Sequence, residues 1–521
     1  MMKNIEDLIR TTPIKILADQ HLAGVKINGI VLDSRQVQAG NLFVALTGGN
    51  TDGHRYITAA MERGAAAVVG SKPLIEMPAD LPYLQVENTR VALAYLSAAF
   101  FDFPARSLMV IGVTGTDGKT TTSSLIYSIL RNAGLKAGII STVNAVIGDE
   151  VIDTGFHVTT PEAPDVQRYL AKMREAGLTH VVLEATSHGL AQDRVTACEF
   201  DIGVVTNITH EHLDYHGSYE AYRAAKARLF QHLQLTVVKP QGNPRLAVLN
   251  RDDQSFDYLN DLVKGRKITY SVGNKADFVA LQPEYSPAGL TFQVQFGEKK
   301  LITIRSSLVG EYNISNILAA LAATIEGAGV PPVEAAHGVE KMTPVAGRME
   351  QIDLGQDFIA IVDFAHTPNA LKRALETARQ MTNGKVIAVF GSAGLRDRLK
   401  RRMMAEISAE MADVTILTAE DPRTESLDDI LEEMASAARM RGAVEGRNMF
   451  RVADRGAAIR LGVQLAKPGD LVMALGKGHE QSMCFGEIEY PWDDRTAMRA
   501  ALAERLGLAG YFMPYLPTQD K

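Results

Sequence analysis

Cysteine is almost absent, with only Cys198 and Cys484 in 521 residues. A disulfide framework is thereby excluded, as is a zinc site built from four thiolates, and a reducing compartment is the expectation. No run of about 18 uncharged apolar residues occurs, and the N-terminus Met1-Met2-Lys3-Asn4-Ile5-Glu6-Asp7 lacks the apolar stretch of a signal peptide. A soluble cytoplasmic protein without membrane insertion is therefore expected. Positive charge is not in excess either: 54 Lys and Arg stand against 61 Asp and Glu, a net charge of −7, whereas a nucleic-acid binder is usually basic. With 46% hydrophobic and 22% charged residues, the composition is neither disordered nor fibrous. The sequence has no internal repeat and no low-complexity tract. At about 150 residues per domain, its length admits three to four domains.

Apolar runs of strand length, such as Val181-Val182-Leu183, Ile361-Val362, Val386-Ile387-Ala388-Val389 and Val414-Thr415-Ile416-Leu417, alternate with amphipathic stretches of helical period. This alternation predicts an α/β protein with mostly parallel sheets. A first domain is expected to end near residue 106, where Phe100-Phe101-Asp102-Phe103-Pro104-Ala105-Arg106 closes an Ala-rich helix. A strand over residues 108–113 opens the second. Glycines and prolines across residues 327–347 mark the next boundary, before strand and helix alternate again from Phe358. The resulting domains are residues 1–106, 107–342 and 343–521. Within the second, residues 265–310, with Pro283 and Pro287, predict an antiparallel flap appended to the parallel sheet.

The segment Val110-Ile111-Gly112-Val113-Thr114 reads as a buried strand, and Gly115-Thr116-Asp117-Gly118-Lys119-Thr120-Thr121-Thr122 follows it into a helix at Ser123-Ser124-Leu125-Ile126. A phosphate-binding loop needs this order, because glycines let backbone N–H groups converge on phosphate oxygens and the helix N-terminus adds positive potential. In that reading Lys119 neutralises β and γ oxygens and the Thr120 hydroxyl ligates magnesium. A short glycine-rich loop is by itself more often a plain turn. The complete strand, loop and helix favour a nucleotide.

This loop resembles the G-T-[ND]-G-K-[ST]-[ST] loop of the Mur ligases, ATP-dependent amide-forming enzymes that build the peptidoglycan stem peptide. Further segments resemble that family in its order: Asp33-Ser34-Arg35 with Ala39-Gly40-Asn41-Leu42-Phe43 and Asp52-Gly53-His54; then His157-Val158-Thr159-Thr160-Pro161 and Glu184-Ala185-Thr186-Ser187-His188-Gly189; then Thr209-His210-Glu211-His212-Leu213-Asp214, Ala224-Ala225-Lys226, Asp363-Phe364-Ala365-His366-Thr367-Pro368 and Gly476-Lys477-Gly478-His479-Glu480. Within the family the likeness is to the member that adds the third residue of the stem.

The resemblance implies a UDP-binding N-terminal α/β domain, a central P-loop ATPase-type domain and a Rossmann-like C-terminal domain. It also implies ligation of a diamino acid to UDP-N-acetylmuramoyl-L-alanyl-D-glutamate through an acyl phosphate, in a monomer that uses ATP and two magnesium ions. Lys119, Glu184, His212 and Lys226 would be catalytic. Metal ligands would be Thr120, Glu184, His212 and Lys226, the last as a carbamate formed from CO₂. ATP would meet Gly115, Thr116, Asp117, Gly118, Lys119, Thr120, Thr121, Asn313, Arg348, Asp363 and His366. The UDP-substrate would meet Ser34, Thr159, Thr160, Ser187, Gln192 and Arg194, whose hydroxyl, amide and guanidinium groups suit diphosphate and carboxylate oxygens. The amino acid would meet Arg396, Asp421, Arg423, Gly476 and Glu480.

Each of these residues also has a plainer reading. Glu184, at a strand end, could be an ordinary loop or cap residue. His212, in a stretch with His210, Glu211, Asp214 and His216, could belong to a zinc site, although oxygen-preferring magnesium is the implied metal. A lysine on a helical stretch such as residues 219–229 is by default a solvated charge, Thr159-Thr160-Pro161 reads as a loop before a helix, and Asp363 or His366 could cap a helix at Pro368.

For the incoming amino acid, the diaminopimelate-adding relatives carry D-N-P-R where this chain has Glu420-Asp421-Pro422-Arg423. Arg423 suits a bidentate grip on a distal carboxylate. Asp421 in place of Asn favours an ammonium and repels that carboxylate. The segment from Gly391 to Arg402 keeps Arg396 and Asp397 but lacks the family's glycine-aspartate pair and a later proline. The balance tips to lysine or ornithine, with meso-diaminopimelate as the alternative. Two rival readings are a folylpolyglutamate or cyanophycin type of ligase, opposed by the Asp33-Ser34-Arg35 segment, and an inactive nucleotide-binding scaffold, which would not need Lys119, Glu184, His212 and Lys226 together.

Overall fold

The computed structural model describes residues 2–48, 51–152, 160–209, 213–286 and 289–520. The backbone forms two compact units, one of residues 1–119, 133–269 and 322–329, the other of residues 120–132, 270–321 and 330–521.

In the first unit, one sheet runs in the order Ile16–Gln20, Tyr83–Val86, Ala67–Gly70, Asn41–Val44, Gly29–Val31, parallel except for its first pair. Asn41–Val44 and Ala67–Gly70 are buried along their whole length, as strands of a covered parallel sheet are. The other sheet has a parallel core ordered Ala137–Ile140, His180–Glu184, Met109–Thr114, Ile202–Val205, Leu246–Asn250. An antiparallel hairpin of Ala145–Ile147 and Glu150–Ile152 extends it beside Ala137–Ile140. Because the core strands are parallel, the loops after Thr114, Glu184 and Val205 leave the same edge, where open α/β sheets place ligands. Gly112 lets a helix approach closely: a Cβ there would lie 2.6 Å from Leu229 and 2.7 Å from Phe200. That helix, Tyr219–Leu235, starts where the Ser218 hydroxyl accepts the Ala221 N–H, and it extends beyond the expected residues 219–229.

In the second unit, Phe278–Ser286, Gly289–Phe296 and Lys300–Ser306 form the expected antiparallel flap. Pro283, which cannot donate to the ladder, sits where the register of the first pair shifts. Pro287 lies outside the described residues. The expected boundary region contains the helix Pro332–Glu340, with Pro332 in its first turn, where a missing N–H costs nothing.

A six-stranded sheet follows in the order Glu350–Gln351, Ile359–Asp363, Leu471–Leu475, Val386–Phe390, Val414–Leu417, Met449–Arg451, parallel beyond its first pair. Its side chains alternate between two cores: Ile361, Ala388, Phe390 and Met473 enter one, and Val362, Ile387, Val389 and Val472 the other. The sheet is thus covered on both faces, as in a Rossmann-like fold, and the α/β class read from the sequence is the one observed. Thr367 caps the helix Pro368–Met381 by accepting the Ala370 N–H, so neither Asp363 nor His366 has that role. No helix among the described residues is long and apolar enough to cross a membrane.

Candidate active site

Strand Met109–Thr114 enters the glycine loop and helix Lys119–Asn132 leaves it. Gly115 and Gly118 have φ of +152° and +79°, backbone geometry that favours glycine, and a Cβ on Gly115 would run into the Thr206 hydroxyl. Three successive carbonyls are held by side-chain donors. Lys226 Nζ donates to Gly115 O at 2.6 Å, Lys119 Nζ to Thr116 O at 2.8 Å, and Thr206 and Asn207 to Asp117 O at 2.6 and 3.1 Å. The Thr116 hydroxyl lies 3.0 Å from the Tyr222 hydroxyl and accepts the Thr209 N–H at 2.9 Å. With its carbonyls held in this way, the loop runs into a helix whose first N–H groups lack intrahelical acceptors. Lys226 is 2% exposed and packs 4.6 Å from the Tyr222 ring, so it is not the surface charge that a helix lysine usually is.

Glu184, 1% exposed, ends its strand beside Val113 and accepts the Thr142 N–H at 3.1 Å. The buried Thr160 hydroxyl donates to Glu184 O at 3.1 Å and accepts the Thr186 N–H at 3.1 Å. Arg194 donates to Thr160 O at 2.8 Å, to Gln192 Oε1 at 2.8 and 3.1 Å, and pairs with Glu162 at 2.8 Å; burial lowers its pKa. Gln192 in turn donates to the Tyr215 hydroxyl at 3.0 Å. Ser187 opens the helix Ser187–Ala191, capped by Thr186, and is buried. Thr160, Gln192 and Arg194 therefore share one hydrogen-bonded patch with the main chain at Glu184, and Ser187 adjoins it along the chain. Ser34, buried at the start of the turn Ser34–Gln36, is flanked along the chain by Asp33 and Arg35, which pair with each other. Thr159 and His212 lie outside the described residues. Among the described residues, no group of three or more His, Cys, Asp or Glu side chains is placed to hold a metal.

In the second unit, Arg348 donates to the Thr120 hydroxyl at 3.4 Å and stacks 4.3 Å over Phe364, whose ring lies 4.4 Å from His366 and 4.9 Å from His479. Asp363 accepts the N–H groups of Met349 and Ala365 at 2.7 and 2.9 Å; burial nonetheless raises its pKa. Burial keeps His366 neutral, its pKa well below the usual value, and pushes His479 down to about 3. Asn313 is buried, donating to Val309 O at 2.7 Å and accepting from Asn316 at 2.8 Å. Arg348, Asp363 and His366 are thus brought together around Phe364.

The amino-acid residues sit in loops after the carboxyl ends of parallel strands: Arg396 after Val386–Phe390, Asp421 and Arg423 after Val414–Leu417, and Gly476 and Glu480 after Leu471–Leu475. The Asp421 carboxylate is held by groups of the protein itself. Both of its oxygens accept from the buried Lys477 Nζ at 3.0 Å, and Oδ1 also accepts the Cys484 N–H at 2.9 Å. The same Nζ pairs with Glu480 at 2.5 Å. Burial would lower the Lys477 pKa, but Glu480 and Asp421 together raise it, so the lysine stays charged. The neighbouring Glu420 is buried, its Oε2 has no hydrogen-bond partner among the described residues, and burial pushes its pKa up to about 7. A Cβ on Gly476 would collide with that oxygen. The guanidinium groups of Arg396 and Arg423 make no hydrogen bond or ion pair to the described residues. Reading the sequence missed Lys477 and Glu420, although both lie inside quoted motifs; a lysine between two glycines was the available signal.

Comparison with known proteins adds three consecutive family matches: "Mur ligase family, catalytic domain" over residues 26–101, "Mur ligase middle domain" over 113–324 and "Mur ligase, glutamate ligase domain" over 347–478. A UDP-N-acetylmuramyl-tripeptide synthetase of Roseiflexus sp. (strain RS-1) is 44% identical over 493 residues, covering 93% of this chain and 96% of that one. A UDP-N-acetylmuramoyl-L-alanyl-D-glutamate--2,6-diaminopimelate ligase of Geobacillus thermodenitrificans (strain NG80-2) is 40% identical over 480 residues, covering 92% and 95%. A solved structure of a ligase of that second name superposes with a TM-score of 0.66 at 31% identity, covering 97% of this chain and all of the other. Likeness of this extent, running through the glycine loop and all three matched segments, leaves one assignment: the chain belongs to the Mur ligase family and is an ATP-dependent acid–amino-acid ligase.

Proposed function

We propose that this enzyme joins a basic diamino acid, lysine or ornithine, to UDP-N-acetylmuramoyl-L-alanyl-D-glutamate. The reaction would serve peptidoglycan precursor synthesis in the cytoplasm, and through it cell shape and division. The observation that carries the amino-acid choice is the charge of one cluster: two carboxylates, Asp421 and Glu480, pair with one lysine, Lys477, while the neighbouring Glu420, its pKa raised to about 7 by burial, feels Arg455, Lys400 and Lys477 together. Lys477 takes up the contacts of Asp421, yet Asp421 adds a negative charge that asparagine would not. A second ammonium is attracted there and a second carboxylate repelled. Arg423 supports the alternative of meso-diaminopimelate, because its guanidinium has no partner among the described residues and could grip a distal carboxylate.

In the proposed reaction a carboxylate oxygen of the UDP-substrate attacks the γ-phosphorus of ATP and ADP leaves. The amine of the amino acid then attacks the acyl carbon, and phosphate departs with formation of the amide. Lys119 and the helix N-terminus behind it would balance charge on the transferring phosphoryl group, with Gly115, Thr116, Asp117, Gly118, Thr120 and Thr121 shaping the loop. Asn313, Arg348, Asp363 and His366 would complete the ATP contacts. Ser34, Thr159, Thr160, Ser187, Gln192 and Arg194 would hold the UDP-substrate.

The oxygen donors Thr120 and Glu184 suit magnesium, which His212 would also ligate and which supplies charge neutralisation when bound. Lys226 as an ammonium does not suit a cation. Loss of one proton from the ammonium, addition of CO₂ to the neutral Nζ and loss of a second proton turn it into a carboxylate-like ligand, so the carbamate belongs to the proposal. The proposed domains are 1–106, 107–342 and 343–521, in a monomer. The order of the family matches supports that division.

The test is phosphate release from ATP with UDP-N-acetylmuramoyl-L-alanyl-D-glutamate and, in turn, lysine, ornithine and meso-diaminopimelate. Lysine or ornithine should have the highest kcat/KM; a preference for diaminopimelate overturns the amino-acid choice.

A further inference from the structure

Arg401 is the largest fully buried charged side chain of the second unit that the proposed function leaves without a part, together with Arg455. Arg455 is accounted for by its closed pair with Asp494, which also accepts from Trp492 Nε1 at 2.8 Å. Arg401 is different, because one of its two carboxylate partners, Glu425, belongs to a loop that carries the proposed amino-acid residues, the other, Glu433, lying in the helix Leu427–Met440. From helix Arg398–Met411 it donates to Glu425 Oε1 and Oε2 at 2.9 and 3.0 Å and to Glu433 Oε2 at 2.8 Å. Glu425 Oε2 also accepts the Leu395 N–H at 3.0 Å, next to Arg396. A second tie joins the same two loops: Gly394 N–H donates to Asp421 O at 3.0 Å, and a Cβ on Gly394 would run into the Pro422 carbonyl oxygen.

We propose that Arg401 and Glu425 form a clamp that sets the loop bearing Arg396 against the loop bearing Asp421 and Arg423, and so positions both free arginines for the incoming amino acid. This rests on the function proposed above. The two guanidinium groups available to a ligand lie on separate loops, Arg396 one residue past Leu395 and Arg423 two residues before Glu425, and the clamp bridges both loops within a few bonds of those residues. Arg401 touches no substrate in this scheme and is a positioning residue. A buried ion pair of this kind need not stabilise the fold, since apolar replacement is often neutral or better. Glu425 and Glu433 are each about one-fifth exposed, so both can hydrate once the arginine is removed. Loss of the clamp should therefore be felt in ligand geometry more than in folding.

The test compares full-length wild type with Arg401→Met, Arg401→Lys and Glu425→Gln. In Arg401→Met and Glu425→Gln, KM for the diamino acid should rise at least tenfold, with KM for ATP within twofold of wild type. Arg401→Lys, which keeps the charge but not the fork, should fall between. Hydrogen exchange of peptides spanning residues 391–398, measured without any substrate, should quicken in Glu425→Gln. Unchanged exchange, or equal rises in the KM of ATP and of the amino acid, overturns the clamp. A wild type that turns over none of the diamino acids overturns the underlying function instead, and the exchange measurement still decides the clamp.

Discussion

The phosphate loop and the loops bearing Arg396 and Arg423 satisfy their polar groups in contrasting ways. In the former, the carbonyls of Gly115, Thr116 and Asp117 are each held by a side-chain donor of the protein. In the latter, two guanidinium groups have no protein partner among the described residues, while a carboxyl-rich cluster lies alongside. A loop set by its own hydrogen bonds presents nearly the same shape to any nucleotide, as chemistry common to a family requires. Loops with unsatisfied charge leave the ligand to complete them. Selection among amino acids is therefore to be sought in the second region.

The largest effect expected from breaking the comparison is at the phosphate loop. Lys119→Ala and Glu184→Ala should each lose at least about a thousandfold in kcat, some 4 kcal/mol of barrier. Lys226→Ala should be nearly as inactive and partly rescued by acetate or another short carboxylic acid able to take the place of a carbamate. Near wild-type ATP-dependent ligation by these variants would reduce the loop to a plain turn.

A smaller effect is expected at Glu420, whose pKa is raised from 4.5 to about 7 by burial. A carboxyl with a raised folded-state pKa stabilises the fold fully below its unfolded value, and that contribution is lost as pH rises through the folded value. Between pH 4.5 and 7 it should fall by about 3 kcal/mol. Thermal unfolding across that range should be less pH-dependent in Glu420→Gln than in wild type. Identical profiles would mean that Glu420 is ionised throughout.

The smallest effect sharpens the specificity of the second region. Asp421→Asn leaves Lys477 with Glu480 as its remaining close carboxylate and removes one negative charge from the cluster. The ratio of kcat/KM for diaminopimelate over lysine should rise about tenfold, or 1.4 kcal/mol. If the proposed effect of Asp421 is one of charge, high salt should shrink the shift. A ratio that Asp421→Asn leaves unchanged would place selection with Arg423 alone.

Chain-neighbour chemistry was open to sequence reading. The apolar runs Val386–Phe390 and Val414–Leu417 form strands, and Gly115 to Thr120 forms a strand-to-helix loop, because both patterns depend on residues a few positions apart. The helix at Pro368 is capped by Thr367, which adjoins His366, one of two residues whose plainer reading is that cap. Other features needed the tertiary structure: the burial of Lys226 against Gly115, the capture of Asp421 by Lys477 at a separation of 56 residues, and the grip of Arg401 on Glu425 and Glu433. The strand order decides which loops meet. Leu471–Leu475 inserts between Ile359–Asp363 and Val386–Phe390, so the loop bearing Lys477 reaches the loop that follows Val414–Leu417. An ion pair depends on that proximity and on exclusion of water, and no local pattern of residues encodes either one.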